Sequence, residues 1–75
     1  MRLFQYIEGL KTYIREEGLL VRVNNQYTAW HLKNKIELQG YPVSVEKNND
    51  HYIVSIWGAN LMDAYLLKNQ EGFAA

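Results

Sequence analysis

The sequence has no cysteine. That excludes a disulfide scaffold, a thiol nucleophile and a cysteine-ligated zinc. It has a single proline, Pro42, and no low-complexity tract or linker. It has no excess of charge either: 8 Lys+Arg stand against 8 Asp+Glu. Neutrality argues against a chain that binds nucleic acid through its net field, and against an acidic mimic of DNA. No apolar run approaches the ~18 residues of a membrane span. The stretch Met1-Arg2-Leu3-Phe4-Gln5-Tyr6-Ile7-Glu8 has no continuous apolar core of the kind a secretory signal needs, so the expected location is the cytoplasm.

What is present is a short chain rich in aromatics. It has 75 residues, 48% of them apolar, with two tryptophans and six tyrosines. That is too apolar for a disordered chain and too short for more than one domain. A chain of this size buries only about 60% of its unfolded surface, and such cores are often completed by a partner or a second copy.

Periodicity divides the chain. Leu3, Ile7, Leu10 and Ile14 recur at i, i+4, i+7 and i+11, which predicts a helix over Arg2 to Glu17 with Gly18 as its C-cap. Leu19 to Val23 alternates and predicts a short strand, broken by Asn24-Asn25. A helix is predicted from Tyr27 or Thr28 to Gln39, with Ala29, Leu32 and Ile36 as its core stripe and Gly40 and Pro42 as its stop. Val43 to Glu46 alternates, and His51 to Trp57 is nearly all apolar. With Asn48-Asn49 as a two-residue turn, Lys47 faces Asp50, Glu46 faces His51, Val45 faces Tyr52 and Val43 faces Val54. Asn60 is placed to cap a last helix that Gly72 ends.

The predicted order is therefore α-β-α-β-β-α. It reads as one α+β domain over residues 1–75: an N-terminal helix at 1–17, a βαββ core at 19–57 and a C-terminal helix at 59–72. The expected sheet is three-stranded, a truncated ferredoxin-like split βαβ, with His51 to Trp57 in the centre. Leu19 to Val23 is expected at an unpaired edge. Leu19, Val21, Val23, Val43, Val45, Tyr52, Val54 and Ile56 are expected to face the helices. Leu20, Arg22, Ser44, Glu46, His51, Ile53, Ser55 and Trp57 take the other face.

The run Leu32-Lys33-Asn34-Lys35-Ile36-Glu37-Leu38-Gln39-Gly40-Tyr41-Pro42-Val43, then His51-Tyr52-Ile53-Val54-Ser55-Ile56-Trp57-Gly58 and a helix holding Ala64, carries a resemblance. Over residues 27–72 the chain resembles the sporulation-related repeat (SPOR) domain, a ferredoxin-like module. The resemblance implies that topology, and a glycan strand as ligand. The chain departs from the pattern in its predicted N-terminal helix and in the missing last strand.

Chemistry is sparse. His31 and His51 lie on different elements without metal-ligand spacing, so no metal or cofactor is expected. No carboxylate pair sits at a spacing that implies general acid–base work, no serine nucleophile motif or phosphate-cradling glycine loop is present, and the expectation is a non-enzyme. Aromatic residues carry more information. Tyr27, Trp30 and Leu38 share a second stripe on the middle helix, turned away from Ala29, Leu32 and Ile36. Arg22, Ile53 and Trp57 share the second sheet face. These six residues are the candidate partner-binding set.

The expected function is a small protein-binding module, an inhibitor or adaptor of the kind phages and mobile elements carry, self-associating as a homodimer. The alternative is a sheet-face ligand binder for single-stranded nucleic acid or glycan. Arg22 is the one cation this reading puts on that face, beside Glu46, so a protein partner is preferred and nucleic acid is disfavoured.

Overall fold

The computed structural model describes residues 2–74, with side-chain surroundings for residues 4–68. A single helical turn, α1 (Arg2–Gln5), leads into strands β1 (Lys11–Arg15) and β2 (Gly18–Val23). Helix α2 (Gln26–Leu38) follows, then β3 (Val43–Asn48), β4 (His51–Trp57) and helix α3 (Ala59–Ala74). The four strands form one antiparallel sheet in the order β1-β2-β4-β3.

This overturns the N-terminal helix and the three-stranded sheet that the periodicity predicts. The helix ends after one turn, and Gly9 takes φ 83. A residue with a side chain is strained in that left-handed conformation, and glycine is not. Beyond it, Thr12-Tyr13-Ile14 is β-branched and aromatic, a composition that suits a pleated strand. The strand turns back through Glu16-Glu17 and pairs Lys11 with Arg22 through to Arg15 with Gly18. β2 is therefore an interior strand, and the free edges are β1 and β3. Leu19 to Val23 has no open edge to offer a partner. Of the predicted apolar stripe, Ile7 is buried while Ile14 is exposed; the side chain of Leu3 lies outside the described residues.

The rest of the frame follows the sequence more closely. Asn25 caps α2, its side-chain oxygen accepting from the Thr28 N–H at 2.7 Å. β4 lies between β2 and β3, which run parallel to each other. The β3–β4 hairpin is displaced from its expected register. Its loop is Asn49-Asp50, with Asn49 at φ 42, so Lys47 faces Tyr52, Glu46 faces Ile53 and Val45 faces Val54. Asp50 turns to His51 within the chain instead of pairing across to Lys47. The pairing moves by two residues, which preserves the alternation, and every side chain keeps its expected face.

Helices α2 and α3 cover one face of the sheet: α2 lies against β3 and β4, α3 against β2. The core between them holds Leu19, Val21, Val23, Val54 and Ile56 from the sheet, Ala29, Leu32 and Ile36 from α2, and Leu61 from α3. Phe4 and Ile7 close it from the N-terminal segment, and Phe4 lies against the ring of Tyr65 at 5.7 Å. Helix α3 starts at Ala59, two residues earlier than a cap at Asn60 would give. The N–H groups of Leu61 and Met62 donate to the Gly58 carbonyl instead. Its backbone stays helical past Gly72, to Ala74. Among the described residues no helix is long and apolar enough to cross a membrane.

Candidate functional site

Alternation sends every second residue of the sheet away from the helices. The strand register assembles these residues into rows. One row runs Lys11, Arg22, Ile53, Glu46; the next runs Tyr13, Leu20, Ser55, Ser44; the last runs Arg15, Gly18, Trp57. Among the described residues no helix packs on this side. The face is open, with Tyr13 49% and Trp57 40% exposed. The sequence alone places one cation and one aromatic here. β1 adds Lys11, Tyr13 and Arg15 to them.

The charges on this face are unpaired. Among the described residues the ion pairs are Lys33–Glu37, His51–Asp50 and Lys68–Glu8. None involves Lys11, Arg15, Arg22 or Glu46. Arg22 also has its Nε buried without a hydrogen-bond partner, a cost that an incoming acceptor would relieve. Glu46 sits at the opposite edge, two strands from Arg22. At the hairpin tip His51 Nδ1 lies 3.1 Å from Asp50 Oδ1. That hydrogen bond, helped by the Asp50 backbone and more weakly by the charges of His51 and Arg22, holds the carboxyl below its usual pKa.

Two grooves bracket the face. The larger, about 490 Å³, is lined by Arg15, Glu16, Glu17, Gly18, Leu20 and Trp57 among others. Gly18 stands between Arg15 and Trp57 in one row and puts no side chain between them. The Trp57 segment is held on both sides by backbone: the Trp57 N–H donates to the Pro42 carbonyl at 3.0 Å, and the Gly58 N–H to the Glu17 carbonyl at 2.7 Å. The smaller groove, about 290 Å³, lies at the other end of β1 and β2 and is lined by Gly9, Leu10, Lys11, Arg22, Val23 and Asn24.

The six sequence-predicted residues separate into two groups. Arg22, Ile53 and Trp57 come together on the open sheet face. Tyr27, Trp30 and Leu38 lie on α2, a helix that packs on the opposite face. Tyr27 is 79% and Leu38 81% exposed, and nothing among the described residues covers them. Some side chains of α2 do meet partners within the helix. Tyr27 stacks on His31 at 5.9 Å, and Lys33 lies over the Trp30 ring at 5.3 Å while pairing with Glu37 at 3.1 Å. Lys11, Tyr13 and Arg15 are missing from the predicted set because the helical period places them in a helix. The signal that could have found them is the Thr12-Tyr13-Ile14 composition soon after Gly9.

Among the described residues no group of three or more His, Cys, Asp or Glu side chains is placed to hold a metal ion. No protein-family model, curated protein or solved structure matches the chain.

Proposed function

We propose that the protein is a non-enzymatic binding module that recognises another macromolecule through the open face of its sheet. The observation that carries this reading is an uncovered row of Arg15, Gly18 and Trp57, beside Tyr13, Leu20, Ile53 and Arg22, whose cations have no partner among the described residues. Tryptophan, tyrosine and arginine dominate the energetics of recognition surfaces, because each combines a large flat contact with a polar handle. The face also has a rigid base, since every strand beneath it is hydrogen-bonded into the sheet. An inhibitor or adaptor acting in the cytoplasm is the role that suits a module of this size and chemistry.

A second reading, self-association through α2, rests on the exposure of Tyr27 and Leu38. Photo-crosslinking distinguishes the two. A benzophenone amino acid is installed at Trp57 in one variant and at Trp30 in another, and both are irradiated in the producing cell. The sheet-face reading expects adducts from position 57 that disappear when Arg22→Glu is added. Adducts confined to position 30, and to a second copy of the chain, would support self-association through α2 in its place.

A further inference from the structure

The sheet face has two ends of different chemistry. At one end Trp57 and Arg15 stand on either side of Gly18, two strand spacings or about 10 Å apart. Between them is a slot floored by backbone and Leu20. A flat ring entering it meets an indole on one wall and a guanidinium on the other. Both surfaces stack on planar aromatic systems. At the other end Lys11, Arg22 and Asn24 line the smaller groove. There Arg22 keeps a buried Nε without an acceptor. Two cations, an amide and an orphaned donor suit an anion with several oxygens.

We propose that this face binds single-stranded nucleic acid, with a base in the Trp57–Arg15 slot and phosphate oxygens at Lys11 and Arg22. The proposal rests on the sheet-face reading above and names its ligand class. The two ends are four residues apart along β2, about 13 Å. A run of two or three unstacked nucleotides covers that distance, the number that sheet-face stacking platforms hold. Tyr13 lies between the ends and offers a second stacking surface. The acidic groups fix the direction. Glu16 and Glu17 line the groove beside Trp57, so the phosphates are kept to the Lys11 end and the uncharged base takes the Trp57 end. Charge is uneven along the face: the unpaired Lys11 and Arg22 lie at one end, with Glu46 two strands from Arg22, while Glu16 and Glu17 line the groove beside Arg15 at the other.

The test uses Trp30→Phe, which leaves Trp57 as the sole tryptophan. Its emission is followed while oligothymidylate or oligouridylate of about 10 nucleotides is added. Saturable quenching is expected, with log affinity against log salt falling at a slope between about −1.4 and −2 for two or three phosphate contacts. Arg22→Gln should flatten the slope by about 0.7 and Arg22→Lys should restore it. By anisotropy of a labelled oligonucleotide, Trp57→Ala in the natural background should weaken binding about tenfold to a hundredfold, and Trp30→Ala should not. Circular dichroism confirms that each variant is folded. Absence of saturable binding at low salt would overturn the proposal, as would binding that Trp57→Ala leaves intact. Poly-glutamate quenching Trp57 as strongly, or a neutral oligosaccharide quenching it without salt dependence, would also overturn it, while leaving the sheet-face reading in place.

Discussion

Gly18→Ala is expected to cost about 3 kcal/mol or more of folding stability, lowering the thermal midpoint by roughly 12 °C or more. Gly18 opens β2 opposite Trp57. A Cβ there would run into the Ile56 carbonyl oxygen, and would lie 2.9 Å from both the Ile56 carbonyl carbon and the Trp57 Cα. These are backbone atoms of the central strand, and they cannot swing aside as a side-chain tip can. Relief requires β2 and β4 to separate where the Trp57 segment is anchored. Gly9 makes the useful contrast. It has φ 83, and nothing lies within 4 Å of the place a methyl group would take. Gly9→Ala therefore meets conformational strain alone, about 1–2 kcal/mol. Thermal melts of the two variants should rank Gly18→Ala well below Gly9→Ala. The reverse order would mean that β2 and β4 do not approach as closely as described.

Phe4→Ala is expected to cost about 3–5 kcal/mol. A domain of this length has about 4–11 kcal/mol in total, so the variant sits close to unfolding. Phe4 is 1% exposed and among the largest fully buried side chains. It belongs to a segment with only one helical turn, whose place is set by burying Phe4 and Ile7 against Tyr65 and the rest of the core. Urea titration should show a lower midpoint with an unchanged slope. A loss under about 1 kcal/mol would place Phe4 outside the core.

The same segment shows where the fold can be read from the sequence and where it cannot. α2 is legible because several signals agree: Asn24-Asn25 breaks the strand before it, Ala29, Leu32 and Ile36 fall on one side, and Gly40 at φ 92 and Pro42 close it. β4 is legible because a central strand is apolar on both faces. The N-terminal third carries conflicting signals. Leu3, Ile7, Leu10 and Ile14 fit a helical period by coincidence, since Gly9 separates them into a turn and a strand. Glu16-Glu17 conceals the hairpin, because glutamate favours helices and neither residue is a usual turn former. The pairing that makes Lys11–Arg15 a strand is with residues beyond that turn, and periodicity within a window does not register it.

The candidate site divides the same way. Arg22, Ile53 and Trp57 could be placed on one face from alternation alone, and they are together there. Lys11, Tyr13 and Arg15 reach that face only through the missed strand. With them the face gains two cations and a tyrosine, and the turn after β1 brings Glu16 and Glu17 to the groove at one end. That change is the ground for proposing an anionic chain with stacking rings as the ligand in place of a protein surface.

The proposed recognition surface therefore depends on β1 being a strand beside β2. Nuclear Overhauser spectroscopy of the isotopically labelled protein tests this most directly. Cross-strand Hα–Hα contacts are expected between alternate facing pairs of Lys11–Arg15 and Gly18–Arg22, with strong sequential Hα–HN contacts along Lys11–Arg15. An unbroken series of sequential HN–HN contacts from Arg2 to Glu17, without cross-strand contacts to β2, would contradict it. It would restore the N-terminal helix and remove Lys11, Tyr13 and Arg15 from the face.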